Sequence, residues 1–308
     1  MPYPVSTVRS PRLVYTDHYE LPLPAGHRFP IEKYRLLREL LEADGGFTFE
    51  PAPLAGISTI ELAHDPEYVR SFVTGRLSES AIRRIGFPWS EGLVKRTLVS
   101  VGSTLAATQE ALQHRWGGTL AGGTHHAFSG EGSGFCVFND IAVAIAWLRA
   151  EYEMRRAAVV DLDVHQGDGT AEIFRDDAHV LTLSVHCKNN FPLRKQQSTI
   201  DVELEAETGD DAYLAALAGV LPKIIEFRPE IIFYQSGVDG LAEDRLGKLA
   251  LTQSGLIERD RQVMKLAQAN AIPLVITLGG GYAQPIHRTA EAHANTFRTA
   301  REIFLSRP

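Results

Sequence analysis

The run VVDLDVHQGDGT, residues 159–170, carries an apolar stretch straight into three aspartates and a histidine. An ionised carboxylate buried at the end of a strand is costly unless positive charge sits against it. Asp163 and His165 stand two apart, so at a strand end both point to one side. Asp239, in YQSGVDG at 234–240, closes another apolar stretch. One imidazole nitrogen with two carboxylates is a hard-to-borderline ligand set, suited to Zn²⁺ with a position left open for water or substrate. Taken singly, each has a structural reading: Asp163 pairs with His165, and Asp239 caps a turn. With Asp161 and Asp168 flanking them, the carboxylates would repel one another without a cation. The expected cation is a metal.

Two further runs could complete a hydrolytic site. His125 and His126 follow a Gly-Gly break in AGGTHH, 121–126. Adjacent histidines in a loop are often merely exposed; to work in catalysis each needs a partner that orients its ring and sets its basicity. Asp161 and Asp168 remain once the metal has its ligands, one carboxylate for each imidazole. An oriented histidine facing a metal-bound water is the usual pair for hydrolysis. In TLGGGY, 277–282, three glycines allow a sharp turn and a close approach, presenting Tyr282 as a donor to an oxyanion.

These runs need elements to hold them. Val- and Ile-rich stretches at 12–15, 157–162, 179–186, 230–236 and 273–279 are apolar on successive residues, as in parallel strands covered on both faces. Helical spacing fits 31–43, 91–113, 138–152, 211–227, 253–270 and 286–305. In 211–227, Leu214, Leu217, Val220, Leu221, Ile224 and Ile225 fall on one face behind Asp210 and Asp211. Such alternation predicts an α/β fold: a single three-layer domain over 1–308, a mostly parallel sheet with helices on both faces. No repeat, low-complexity tract or linker divides it. The four polar runs fall just past strand ends, where loops of one sheet edge converge on a crevice.

Composition bounds the function. The 308 residues are 44% hydrophobic and 22% charged, with a formal net charge of −7. No basic stripe of the nucleic-acid-binding kind is present, and the acidic balance is compatible with a cationic substrate. Only Cys136 and Cys187 occur, so a disulfide framework is not expected and a reducing compartment fits. The first twenty residues lack the apolar core of a signal peptide, and the longest apolar run, Ile141 to Leu148, is too short to span a bilayer. The expectation is a soluble, cytoplasmic protein that engages neither membrane nor nucleic acid.

HH in a glycine-rich loop, then GFCVFND, DLDVHQGDGT, SGVDG with DRLG, and LGGGY stand in an order and spacing that resemble the histone deacetylase family. The flavour is that of the class IV and bacterial branch of the arginase/deacetylase superfamily. The resemblance runs from GHRFPIEKY to the glycine run and implies the three-layer α/β fold. It implies zinc-dependent removal of acetyl or other acyl groups from lysine side chains of proteins or peptides. Small acylated amines such as acetylpolyamines are the alternative substrates. By resemblance Asp163, His165 and Asp239 are the ligands of one Zn²⁺, with Fe²⁺ an alternative. His125 and His126 are the catalytic pair, oriented by Asp161 and Asp168 respectively, and Tyr282 polarises the carbonyl. Phe135, beside Gly134, and Phe191 resemble the walls of the tunnel that holds an acyl-lysine. A structural K⁺ would engage Asp161, Ser184 and the carbonyls of Asp163, His165 and Val185.

Departures and rivals are few. Gln166 stands where many members have a second histidine, Gly240-Leu241 follows Asp239 where others have Ala-His, and Glu91 is the candidate acidic rim residue. The long tails of nuclear members are not present in this sequence. A two-metal ureohydrolase needs extra ligands two residues beyond His165 and Asp239, where Gly167 and Leu241 stand. A thiol enzyme would use Cys136, whose apolar setting leaves it inert. GEGSG at 130–134 lacks dinucleotide-fingerprint spacing. An inactive acyl-lysine reader would be expected to have lost a ligand or the tyrosine.

Overall fold

The computed structural model describes residues 12–305. The two ends of the expected 1–308 domain, and part of the stretch read as lacking a signal peptide, lie outside the described residues. Within them run the strands β1 (Arg12–Tyr15), β2 (Thr48–Pro51), β3 (Trp116–Thr119), β4 (Ala157–Asp161), β5 (Val180–Cys187), β6 (Ile200–Leu204), β7 (Ile231–Gln235) and β8 (Leu274–Thr277). The helices are α1 (Lys33–Asp44), α2 (Ile57–Ile60), α3 (Pro66–Val73), α4 (Glu79–Ile85), α5 (Glu91–His114), α6 (Asp140–Tyr152), α7 (Asp168–Ile173), α8 (Asp210–Phe227), α9 (Gln253–Ala269) and α10 (His287–Leu305). All strands join one sheet in the order β2-β1-β3-β8-β7-β4-β5-β6. Every neighbouring pair is parallel.

The continuous apolar runs follow from burial on both faces. In β7, Ile232 and Tyr234 pack with Leu217, Val263 and Phe297 on the side of α8, α9 and α10. Ile231 and Phe233 pack with Ala107, Ala111 and Ile145 on the side of α5 and α6. That gives the three expected layers, and the predicted strands and helices agree with the observed ones to within about two residues.

Three strands escape the apolar pattern for separate reasons. In β3 (WGGT) helices close on both faces, so side chains are excluded. A Cβ on Gly117 would lie 2.0 Å from the Ala107 carbonyl oxygen, and one on Gly118 2.7 Å from the Phe297 ring. β2 and β6 are edge strands; β6 alternates half-buried and exposed residues, and β2 ends at Pro51, tolerated at an edge. The short helices α2, α3, α4 and α7 lie outside the predicted segments, although Asp65 caps α3 and Pro66 opens it in the usual way. Among the described residues no helix is long and apolar enough to cross a membrane. Cys136 and Cys187 are buried and unpaired.

One buried histidine ties the helical layer to the loop edge. His64 donates from Nδ1 to the Ser129 carbonyl at 3.1 Å, and its Nε2 accepts the Asn139 N–H at 2.9 Å. Asn139 in turn caps α6 by accepting the Ala142 N–H. Burial pushes the His64 pKa down from 6.5 to about 4. The folded state therefore favours the neutral ring. This contribution is whole above pH 6.5 and is lost as the pH falls from 6.5 towards 4, an effect of order 3 kcal/mol. The thermal midpoint is expected to fall across that window, and to fall less in His64→Gln, whose side chain takes no proton. Equal slopes in melting curves of the two proteins would contradict this.

Candidate active site

Asp161 of β4 lies opposite Gln235 of β7 and Ser184 of β5, and Gln235 lies opposite Thr277 of β8. β4, β7 and β8 end level, β5 runs three residues further, and β3 joins β8 on its other side. The loops that leave them carry the four polar runs to one edge of the sheet.

The metal-type residues meet there. One ligand atom each from Asp163, His165 and Asp239 lies within 4.8 Å of the others. His165 Nδ1 is 3.0 Å from Asp163 Oδ1 and 3.1 Å from Asp239 Oδ2. Their placement differs from the expected strand ends. β4 stops at Asp161 and β7 at Gln235, so all three stand in loops. The backbone bends after Asp163, and the His165 N–H donates back to Asp163 Oδ1 at 3.0 Å; this turn, not strand alternation, puts the pair together. The second oxygens are held by backbone: Asp163 Oδ2 accepts the Gly280 N–H at 2.6 Å, and Asp239 Oδ1 accepts the Val164 N–H at 2.9 Å.

The charge state of this cluster tests whether a cation suits it. Asp163 is 1% exposed and Asp239 fully buried. Burial, then the charge of Asp163, push Asp239 up to about 7. Burial opposes charge on His165, yet its hydrogen bonds with Asp163 and Asp239 hold it up at about 10. Two adjacent carboxylates thus retain a proton between them and the imidazole where a cation would serve. With one nitrogen and two oxygen donors, the residues fit a divalent metal. The extra ligand positions of a two-metal centre carry no donor: a Cβ on Gly167 would meet Asp161 Oδ2 at 2.3 Å, and Leu241 is buried in the core.

The histidines lie against this cluster and each has its own carboxylate. His125 Nδ1 is 2.7 Å from Asp161 Oδ2, and His126 Nδ1 is 2.6 Å from Asp168 Oδ1. The rings are 4.0 Å apart between centroids. Their basicities are split. For His125, burial lowers the pKa, but the charges of Asp161 and Asp163 override it and raise the group to about 9. For His126, burial and then the His125 charge lower it to about 4, against the pull of Asp168. The two shifts run in opposite directions, favouring charge on His125 and the neutral ring on His126.

The aromatic residues close round this pair. Phe191, half-exposed, sets its ring edge-on to His126 at 4.9 Å and to His165 at 6.4 Å. Gly134 makes that approach possible. Its φ is +54°, and a Cβ there would fall 2.7 Å from His126 Cδ2 and 3.1 Å from the Phe191 ring. Phe135 lies on the other side, 6.3 Å from the Tyr282 ring and 5.3 Å from Phe29. The Tyr282 N–H donates to Asp244 Oδ2 at 2.6 Å. Burial, then the charges of Asp239 and Asp163, raise its phenol well above the usual range, so it stays protonated as a donor. Lys33 Nζ lies 5.3 Å from the Tyr282 ring and donates to the Gly279 carbonyl at 3.1 Å.

For the potassium set, Asp161 and Ser184 face each other across β4 and β5, with Val185 next in β5. Asp161 Oδ1 accepts the Asp163 N–H, and Ser184 Oγ lies 3.0 Å from His186 Nδ1. Glu91 sits in the first turn of α5, exposed. Burial raises the Cys136 thiol well above its usual range, consistent with an inert cysteine. Gln166 is buried and clamps the loop beyond Phe191, donating to the Gln196 carbonyl and Asp201 and accepting the Gln196 N–H, all at 2.8 Å.

Sequence reasoning passed over the residues that brace these loops. Asp140, in FND, accepts from the Gly123 and Thr124 N–H groups and from the hydroxyls of Thr104 and Thr124, fixing the loop that carries the histidines. Asp244, in DRLG, fixes Tyr282. Both stood inside quoted motifs, and a buried Asp among Gly and Thr N–H donors was the available signal.

Known proteins resemble this chain over most of its length. Residues 27–298 match the family model described as histone deacetylase domain. An uncharacterised protein of Picosynechococcus sp. is 45% identical over 297 residues, covering 95% of this chain and 99% of that protein. Histone deacetylase 2 of Arabidopsis thaliana is 30% identical over 291 residues, 88% of this chain and 74% of its own length. A histone deacetylase-like amidohydrolase of Pseudomonas aeruginosa is 31% identical over 286 residues, 85% and 74% of the two chains. With an all-parallel three-layer sheet and a buried Asp-His-Asp cluster beside a carboxylate-held histidine pair, this chain belongs to the histone deacetylase family.

Proposed function

We propose that the chain acts as one deacetylase domain, a metal-dependent amidohydrolase that removes acetyl or other acyl groups from lysine side chains. The observation that carries this reading is the Asp163–His165–Asp239 cluster lying against two histidines, each held by its own carboxylate. When bound by these three residues, a divalent ion, zinc by its donor set and iron as the alternative, would polarise the amide carbonyl and make a water acidic. The rest falls to side chains. With Nδ1–H given to Asp168, His126 presents Nε2 as an acceptor that takes the proton of the attacking water and returns it to the leaving amine. His125, charged at neutral pH through Asp161, stabilises developing negative charge. Phe135, Phe191 and the bare backbone of Gly134 form a slot for an aliphatic acyl-lysine stem. A K⁺ held by Asp161, Ser184 and the carbonyls nearby, Val185 included, would brace the same strand ends. Two unpaired buried thiols suit a reducing, cytoplasmic setting.

Acyl-lysine in a protein or peptide is the substrate class; acetylpolyamines and other small amides are the alternative, which the net charge of −7 accommodates. Hydrolysis rates over acyl-lysine peptides of rising chain length, measured beside acetylpolyamines, test the reading. Release of acyl group from the peptides is the expected result. Metal-loaded protein that binds these peptides and cleaves none would instead mark an inactive reader.

The role of Tyr282 makes a separate expectation. A phenol donor opposite the metal gains strength only as charge builds on the carbonyl oxygen. Tyr282→Phe should therefore lower turnover about 10²–10³-fold with little change in substrate affinity. Asp244 holds the backbone of residue 282, not its hydroxyl, so the loop should stay folded and the metal bound. Turnover within a few-fold of native would show a tyrosine that only packs.

A further inference from the structure

The two carboxylates of the Asp163–His165–Asp239 cluster lie in loops that follow different strands, 76 residues apart (239 − 163), and no regular element carries either of them. Something must hold the two loop starts in register. Beneath them lies Arg259 of α9, the largest of the fully buried side chains among the described residues. Its Nη1 donates to the Gly237 carbonyl at 2.5 Å and to the Leu162 carbonyl at 3.2 Å, and Nη2 lies 3.4 Å from the Ser236 carbonyl. Leu162 immediately precedes Asp163, and Gly237 stands two residues before Asp239. One guanidinium therefore grips the backbone ahead of both carboxylates.

The guanidinium is itself aimed. Asp260 Oδ1 accepts from Arg259 Nε at 2.9 Å and Nη2 at 2.7 Å, and also from the Tyr234 hydroxyl at 2.5 Å. Asp260 Oδ2 accepts from the Thr296 hydroxyl of α10 at 2.6 Å. With its Nε–Nη2 edge fixed by Asp260, the guanidinium points Nη1 and the rest of Nη2 at the strand ends, in the planar fork that a lysine does not possess. The backbone so held then positions the ligands' outer oxygens: the Val164 N–H, two residues after Leu162, binds Asp239 Oδ1. A Cβ on Gly237 would also fall 2.3 Å from Asp163 Oδ2, so the two loop starts are in close contact with little room to shift.

We propose that Arg259 is a positioning residue for the metal centre: its guanidinium sets the spacing of Asp163 and Asp239 through their own backbones. This rests on the reading of those residues as metal ligands. A structural ion pair alone would support the fold and leave metal affinity unchanged.

The test compares native protein, Arg259→Lys and Thr296→Ala, each stripped of metal and titrated with Zn²⁺ against a competing chelator and with Co²⁺ by its visible absorption. Partners of metal ligands typically contribute 10–100-fold in affinity. Arg259→Lys should bind both ions about 10–100-fold more weakly, with altered Co²⁺ bands that report changed ligand geometry. Thr296→Ala removes a hydrogen bond from the same network on the side away from the carbonyls. It should lower the thermal midpoint while keeping affinity and bands as in native protein. Native affinity and native bands in a folded Arg259→Lys overturn the inference, as does equal weakening in Thr296→Ala. If Arg259→Lys does not fold, Asp260→Asn answers the same question, because it keeps the guanidinium and loosens its aim; unchanged metal affinity there overturns the inference. Native protein that takes up neither ion overturns the metal reading itself, and the inference with it.

Discussion

His126→Ala is expected to lower turnover by at least the 10²–10⁴-fold that general acid–base catalysis ordinarily supplies, about 3–5 kcal/mol of barrier. The ring is asked to act twice, as base towards water and as acid towards the departing amine. Its environment prepares it for the first act. Burial and the neighbouring imidazolium keep it neutral, and Asp168 fixes the proton on Nδ1. Among the described residues His126 makes no hydrogen bond to Asp163, His165 or Asp239, so metal content should be unchanged. His125→Ala should cost less, because His125 contributes charge and not proton transfer. Steady-state kinetics of both variants with metal content measured in parallel checks this. A metal-loaded His126→Ala protein with near-native turnover would reverse the assignment of the pair.

Replacing a ligand should be more severe. Asp163→Ala, His165→Ala and Asp239→Ala are each expected to abolish both metal uptake and hydrolysis. Asp163→Ala also strands the Gly280 N–H, and an unsatisfied buried donor costs about 1–3 kcal/mol. Asp239→Asn separates affinity from stability. In metal-free protein, burial and the Asp163 charge raise the Asp239 pKa to about 7, above its ordinary 3.8. Metal-free stability therefore declines as pH rises from about 4 through 7, where this carboxyl must ionise beside another. An amide removes that cost. Metal-free Asp239→Asn should melt above metal-free native protein at pH 8 and gain nothing when Zn²⁺ is added. Native protein should gain about 2.7 kcal/mol when zinc reaches 100 times its dissociation constant. Calorimetry with and without zinc reads both effects. Zinc stabilisation that survives in Asp239→Asn would remove Asp239 from the ligand set.

Most of the fold could be read before the structure because apolar burial leaves a periodic trace. Ile231 to Tyr234 face two helical layers in turn, and their unbroken hydrophobicity is the mark of a covered parallel strand. β3 left no such trace, because Gly117 and Gly118 serve it by having no side chain. The site was legible as a set of residue types but not in its local geometry. Asp163 and His165 were paired correctly for the wrong reason: a bend in a loop, not strand alternation, brings them together. The bracing groups were the least legible. Asp140 and Asp244 do their holding through backbone N–H groups, and Arg259 through backbone carbonyls from α9, 96 residues beyond Asp163 (259 − 163). Beyond the Gly and Thr residues that surround Asp140, their spacing does not announce such partners, since a backbone contact is independent of the residue type it touches.

The central claim is a single divalent ion held by Asp163, His165 and Asp239 and required for amide hydrolysis. Metal titration of stripped protein, with release of acetate from an acetyl-lysine peptide as the readout, tests it most directly. The expected result is no activity without metal and a linear rise to a plateau at one equivalent of Zn²⁺ or Fe²⁺ per chain. Asp163→Ala should give a flat line under the same conditions. Full activity in stripped protein, or a plateau reached only at two equivalents of Mn²⁺, would contradict it.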